Sequence, residues 1–517
     1  MRCTKSLSLA ATSILSIAAA VLFVPPSAAP AEHPKYGGTL RVELQISRIT
    51  VDPREWKPGS VAAGQSEKVA ALLFDRLLTL DDYGRFQPAL AIEWTHDAAF
   101  RTWQFKLRPG VKFSDGSPLT SKEVAASLQS LLPSAWQIST TDSTVQIHAP
   151  DAMADLLEQL ASGGYFIFRP QPGGVLLGTG PFTLAESSTI TSTDSNLPTL
   201  RTSRIKLIAN ENAWEGRPFL DAIEFTLGQT ALRQILDLQV GRTDLIDIPP
   251  DLVRKARQEN LRIWSSPPST LLALRFDDAQ SFTSNQQLRE ALDLSLDRDT
   301  MANVLLQRQA LPAPALLPQW LSGYAFLLGT SMNLERAKQI RSSLPGDIAS
   351  AADPLRLRVD ALGDLMKLLG ERVAVNARQA NIAIQVVSHT AVSGTAALPP
   401  TGLHLFAWHY DSLSPRTELF DFQQFLHTDA GATQKSVPND AATEQLYDAE
   451  RNSLDTRQVL PLLLLPDYLG IAPNVRNWSA SPSGDWRLAD VWLDSTEPAT
   501  SNSNSPQSRS TEPGVRP

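Results

Sequence analysis

Residues able to perform covalent chemistry are sparse in this chain and poorly spaced for it. The only cysteine is Cys3, so the rest of the chain has no thiol nucleophile, no disulfide and no cysteine-ligated metal. No G-x-S-x-G, H-E-x-x-H or G-x-x-x-x-G-K-[ST] string occurs, which argues against the common serine-hydrolase, zinc-protease and phosphate-loop readings. The Gly-rich run GGVLLGTG at 173–180 lacks the dinucleotide spacing and reads as a turn that allows close backbone approach. His404 and His409 could suggest a metal site, but five residues apart on a strand they face opposite sides. Asp81-Asp82 and Asp277-Asp278 sit at turn-like positions, where solvated carboxylates are the ordinary reading.

One further stretch is LHLFAWHYDSLSP at 403–415, which read alone carries no chemical motif. Leu403, Leu405 and Ala407 alternate with His404, Phe406 and Trp408, the pattern of a strand, and the strand stops at a Ser/Pro turn. Trp408 could form an apolar wall or simply pack in a core. On its own, Asp411 reads as a turn-forming aspartate.

The elements around it are regular. TWQFKL at 102–107 alternates with Trp103, Phe105 and Leu107 on one face, and turns follow at Pro109-Gly110 and Asp115-Gly116. Thr120 and Glu123 then form a capping-box pattern before a helix whose stripe is Val124, Leu128, Leu131 and Leu132. The segments 37–44, 205–210, 220–227, 355–362 and 382–387 read as strands. Those at 67–80, 231–241, 287–306 and 333–344 read as helices. Strands interleaved with helices predict an α/β or α+β architecture. Three stretches look loose: the Ser/Thr-rich 186–203, the small, Pro-rich 391–402 and the low-complexity tail from Ser495.

At 517 residues the chain is too long for one hydrophobic core, and 42% hydrophobic with 19% charged residues is a globular composition. Its net charge of −8 argues against a nucleic-acid partner. Arg2 and Lys5 precede an apolar run from Leu7 to Val24, and Ala29-Pro30-Ala31 fits a small-residue cleavage site. Residues 1–31 therefore read as a secretory signal peptide; an uncleaved anchor is the alternative, because the run nears bilayer-spanning length. Cys3 lies before the apolar run, the wrong side for a lipid anchor. The expected product is periplasmic or secreted.

Ordered landmarks carry a resemblance. They are YGGTLRV at 36–42, LLFDRLLTLDDYGRFQPALAIEW at 72–94, LRPGVKFSDGSPLTSKEV at 107–124, GTGPF at 178–182, VGRTDLID at 240–247 and LREALDLSLDR at 288–298. Together they resemble the extracytoplasmic solute-binding proteins of ABC importers, in the oligopeptide/dipeptide-binding branch, family 5. The resemblance implies an α/β, two-lobe periplasmic-binding-protein clamshell (type II, the large three-subdomain variant) with a hinge and an interlobe cleft. Lobe I would be 32–268 with 470–493 returning to it, lobe II 269–469, and 494–517 a disordered tail.

It also implies a site. The branch's pattern W-x-x-D-x-x-D-P fits Trp408, Asp411 and Pro415, with Ser414 in place of the second acid. The first aspartate of that pattern takes the α-amino group of a bound peptide, which places Asp411, Trp408 and their neighbours Ala407, His409 and Tyr410 at the ligand. Lys57 and Gly59 are the corresponding first-lobe contacts. A desolvated ammonium needs an opposite charge at hydrogen-bonding distance. Backbone pairing would supply side-chain-independent affinity. The implied protein is no enzyme and needs no cofactor or metal. It is expected to be a monomer that takes a short peptide to membrane permease subunits. Within the same fold the alternatives are a sugar, an opine-like compound or a metal chelate, or a degenerate sensor or adaptor. An extracytoplasmic hydrolase is the remaining class.

Overall fold

The computed structural model describes residues 33–494, apart from 193–199, 277–284, 345–353, 360–363, 389–401, 428–442, 481–483 and the single positions Pro58, Asp82, Gly84, Ser162 and Ser331. The expected signal peptide, Asp277-Asp278, the Pro-rich 391–402 up to Thr401 and the tail from Ser495 lie outside the described residues.

The largest element is an eleven-stranded sheet. Ten of its strands are β1 (Thr39–Leu44), β2 (Phe182–Ser192), β3 (Leu200–Ala209), β4 (Ala222–Leu227), β5 (Leu245–Asp247), β6 (Arg262–Phe276), β7 (Leu355–Val359), β8 (Ile384–Ser388), β9 (Leu403–His409) and β10 (Val459–Ile471). Their spatial order is β2-β3-β4-β1-β5-β10-β6-β9-β7-β8, and Leu311–Pro312 pairs with β10. The two longest strands, β6 and β10, lie antiparallel in the middle. Their register shifts between Ser265 and Pro268 and again between Pro268 and Thr270. Prolines at 267, 268 and 466 explain the break, since each removes a ladder donor.

The apolar residues sort into separate cores on either side of that break. Ile263, Trp264, Tyr468, Leu469 and Ile471 join a first core with Leu40, Val42, Phe74, Ile223 and Leu245. Leu272, Leu274, Leu462 and Leu463 join a second with Leu288, Leu357, Leu369 and Leu405. The opposite faces of the same strands, through Leu271, Ala273, Phe406, Trp408 and Leu464, build a further core with Leu419 and Phe422. This division follows from strand alternation, which sends successive side chains to opposite faces. A fourth core, within residues 77–167, fills a smaller four-stranded sheet with Trp103, Phe105, Val124, Leu128, Val145 and Leu156. The result is the two-lobe periplasmic-binding-protein clamshell of the α/β class.

Local expectations hold where short-range chemistry dominates. Val124, Leu128 and Leu132 are buried, and the Glu123 carboxylate accepts the backbone N–H of Thr120 at 2.7 Å. Three segments differ. The helix read over 67–80 is α1, Val61–Leu73. It stops because Asp75 is held by the Thr179 hydroxyl at 2.7 Å and the Trp214 indole at 2.8 Å; Leu78–Leu80 is a strand. The helix read over 287–306 breaks after Ser295, where the Asp297 carboxylate caps Thr300. Residues 186–192 and 200–203, read as loose, instead pair as the β2–β3 ladder; β-branched threonines suit a pleated strand.

Candidate functional site

Helix α1 begins just after a turn at Gly59, whose φ of +70° is left-handed. The turn turns its backbone toward the end of β9. The Gly59 carbonyl accepts the His409 N–H at 2.8 Å, and the Gly59 N–H donates to Asp411 Oδ2 at 3.4 Å. A Cβ at Gly59 would lie 2.2 Å from Trp408 ring carbons, so only glycine lets the indole approach.

Beyond β9 the chain turns through Asp411–Ser414 into α2, Pro415–His427. Glu418, buried on that helix, accepts the backbone N–H groups of Asp411 at 2.7 Å and Ser412 at 2.6 Å, and the Trp408 Nε1–H at 3.1 Å. One carboxyl thus orders the whole turn that carries Asp411.

Asp411 borders a cavity of about 180 Å³, whose other walls are Pro53, Trp56, Leu131, Gly163-Gly164-Tyr165, Ser412, Thr417 and Asp421. The glycine pair permits the close approach: a Cβ on Gly163 would lie 3.3 Å from the Asp411 carbonyl oxygen, and one on Gly164 3.3 Å from the Trp56 ring. Beneath it, Arg76 donates to the Gly163 carbonyl at 3.0 Å while ion-pairing with Glu67 at 2.5 Å and Asp485 at 2.6 Å.

The cavity is acidic. Burial raises the Asp411 carboxyl above the usual aspartate range, although its hydrogen bond with Glu418 and the Gly59 N–H pull the other way. Burial and the charge of Asp411 push Glu418 well up. Each of the two buried carboxyls disfavours the charge of the other. Burial, then the charge of Asp411, pushes Asp421 up to about 7. A cation entering here would meet aromatic walls and two carboxyls able to ionise against it.

The expected site residues divide. Asp411 lines the cavity, and Gly59 touches it through that side chain. Trp408 is buried against Phe422 and Phe425 at ring separations of 5.0 and 5.4 Å; the cavity's aromatic wall is Trp56 and Tyr165 instead. His409 is buried against Gly64 of α1, and burial pushes its imidazole down to about 4. The Tyr410 hydroxyl is spent on the Leu316 carbonyl. Ala407 pairs with Leu272 within the sheet. Lys57 is exposed, with its carbonyl accepting the Ser60 N–H. The sequence reading missed Trp56, Gly163, Gly164, Tyr165, Thr417 and Asp421. The Gly-Gly-Tyr string was the available signal, a flexible pair beside an aromatic ring.

A larger, shallow depression of about 590 Å³ lies over the four-stranded sheet by Trp136, Gln137, Gln146 and His148. It gathers no carboxylates or cations.

Residues 85–342 match the bacterial extracellular solute-binding proteins, family 5 Middle. The chain is 22% identical over 445 residues to the nickel-binding protein NikA of Staphylococcus aureus, covering 82% of this chain and 84% of that one. The structure resembles the oligopeptide-binding protein AppA of Bacillus subtilis in complex with a nonapeptide (TM-score 0.70, 16% identity, 89% and 100% coverage). It also resembles NikZ of Campylobacter jejuni in complex with Ni(L-His) (TM-score 0.72, 15% identity, 88% and 99% coverage). With the ordered landmarks and the clamshell fold, these matches place the chain in family 5 of the extracytoplasmic solute-binding proteins of ABC transporters.

Proposed function

We propose that this protein captures short peptides between its two lobes and delivers them to the membrane subunits of an ABC importer outside the cytoplasm. The observation that carries the reading is the position of Asp411: a carboxyl on the turn after β9, facing a cavity walled by Trp56 and Tyr165. There it would take the peptide's α-ammonium. A cavity of about 180 Å³ suits that end of a ligand and not a long chain. The lobes therefore part for entry and close on the ligand, which shifts the population toward the closed form. In this reading the lobes divide at the β6–β10 register break, near Pro268 and Pro466, a few residues before the second boundary expected at 469, since Tyr468 and Leu469 pack in the first core. No described helix is long and apolar enough to cross a membrane.

A second reading is a metal chelate, favoured by the names of the nickel-binding relatives. Among the described residues no group of three or more His, Cys, Asp or Glu side chains could hold a bare ion, so such a ligand would arrive with its own donors. Native mass spectrometry of the purified protein decides between them. Intact short peptides recovered from the cleft support the first reading. Nickel with free amino acid supports the second, and peptide fragments accumulating from an added pool would indicate hydrolysis.

A further inference from the structure

A short polar contact between the two sides of the cleft lies beside the ligand cavity. Asp155 immediately precedes the short helix Leu156–Leu160, part of the core within residues 77–167. Three of its partners come from the start of α2 and the residue just before it, some 260 residues away. Oδ1 takes the Arg416 guanidinium at 2.5 Å. Oδ2 accepts the Ser414 hydroxyl at 2.5 Å and the Thr417 hydroxyl at 3.1 Å. Gln159, from its own helix, adds a bond at 3.3 Å. Burial opposes ionisation of Asp155, but the Arg416 charge and these hydrogen bonds outweigh it and hold the carboxyl below the usual range.

Ser414 serves both sides of the contact. Its oxygen accepts the Thr417 N–H at 3.1 Å, capping α2, while its proton goes to Asp155. A hydroxyl can do both at once. An aspartate at 414 could cap the helix equally well but would oppose Asp155 with a like charge. The serine at this position of the W-x-x-D-x-x-D-P pattern thus has a physical reason in this chain. Asp155 also brings negative charge to the helix N-terminus, which the helix dipole favours. The joined elements are those that shape the cavity: Thr417 and Asp421 lie one turn apart on α2, and Gly163–Tyr165 follow the short helix closely.

We propose that Asp155 is a positioning residue that latches the cleft shut through Ser414, Arg416 and Thr417, setting the open–closed equilibrium without touching the ligand. The contact forms when the 77–167 core meets the start of α2 and is lost when they separate. Because it is made by the protein alone, it biases closure before any ligand arrives.

The test is single-pair fluorescence energy transfer on the full-length, ligand-free protein. Labels are attached at Lys122→Cys and Gln424→Cys, both exposed positions, with Cys3→Ser. Asp155→Ala is expected to raise the open-to-closed ratio roughly tenfold, the worth of one charge-assisted hydrogen bond. Ser414→Asp should open the cleft further. Asp155→Asn in the Ser414→Asp background should restore closure, a rescue that a merely structural contact would not show. Thermal melting confirms that each variant is folded. Unchanged distance distributions in folded Asp155→Ala and Ser414→Asp proteins would overturn the latch, as would failure of the rescue. No peptide is added, so the result is independent of which solute the cleft carries.

Discussion

Glu418 holds Asp411 by its backbone: the buried glutamate accepts the amide N–H of Asp411 at 2.7 Å and that of Ser412 at 2.6 Å, so a helix side chain sets the direction of the turn's aspartate. Removing that carboxyl strands two N–H groups away from water. Glu418→Ala is expected to cost about 2–4 kcal/mol, and Glu418→Gln, which keeps an acceptor oxygen, about 1. Urea unfolding of the two variants checks the ordering. Equal costs would mean that the backbone bonds contribute little.

Asp411 itself should matter to the ligand more than to the fold. Asp411→Asn retains the shape of the side chain and discards its charge. Affinity for a peptide with a free amino terminus should fall by about ten- to a hundredfold, with the thermal midpoint nearly unmoved. Titration calorimetry with the peptide recovered from the native protein provides the reading. An N-acetylated version of that peptide should bind wild type and variant alike. A variant that binds the free-amine peptide as tightly as wild type takes Asp411 out of the site.

The second cavity acid introduces a pH dependence. Asp421 is raised by burial and by the Asp411 charge to about 7, against about 3.9 for an exposed aspartate. Between those values the native state binds the extra proton, so this group's contribution to stability is full below about pH 4 and is lost as pH rises through about 7. Asp421→Asn should therefore stabilise the protein at about pH 8 and leave it unchanged near pH 4. Binding of an ammonium works in the opposite sense, since it favours the ionised form, so affinity should climb through pH 7. Denaturation curves at the two pH values test the first sign, and proton release on binding tests the second.

Gly64 shows packing overriding propensity. In an isolated helix, alanine is better than glycine by about 1 kcal/mol. Here a Cβ would sit 2.1 Å from the buried His409 ring. Overpacking of that kind costs about 1–3 kcal/mol or more. Gly64→Ala should be a net destabilisation of about 2 kcal/mol and should loosen the α1–β9 contact, seen as faster amide exchange at His409. A variant more stable than wild type would show that the ring moves freely.

Arg76 neutralises two acids at once, with Glu67 at 2.5 Å and Asp485 at 2.6 Å, and its guanidinium lies 4.0 Å from the Phe166 ring centroid. Arg76→Met leaves both carboxyls poorly compensated, at a cost of about 3–5 kcal/mol. Glu67, which burial already pushes well above the usual glutamate range, can recover part of that cost by taking up a proton once its partner is gone. Urea unfolding reads the loss, and a variant within about 1 kcal/mol of wild type would mean that the two pairs contribute little.

Much of the scaffold is legible in short windows. The alternation in 102–107, the Thr120–Glu123 cap and Gly241, with φ +71° after the helix that ends at Gln239, each depend on neighbours within a few residues. Where the reading failed, a contact from far along the chain, or a competing local cap, decided the outcome. Thr179 and Trp214 end α1 at a point where apolar spacing alone would continue it, and Asp297 splits a segment that reads as one amphipathic helix. In the site, Asp411 was readable because it sits in a spaced pattern. Trp56 and Asp421 were not, because nothing near them in sequence marks them, and Tyr165 carried only the glycine pair before it.

Taken alone, the amino-acid order established an α/β scaffold, the family landmarks and one acid in a binding pattern, because turns, caps and strand alternation are local and survive in any window that contains them. The tertiary structure decided which side chains border the cavity, that Trp408 packs inward, and that Ser414 answers Asp155. Those outcomes depend on distances between segments near 55, 160 and 415, and such distances exist only once β6 and β10 have brought the separate cores together.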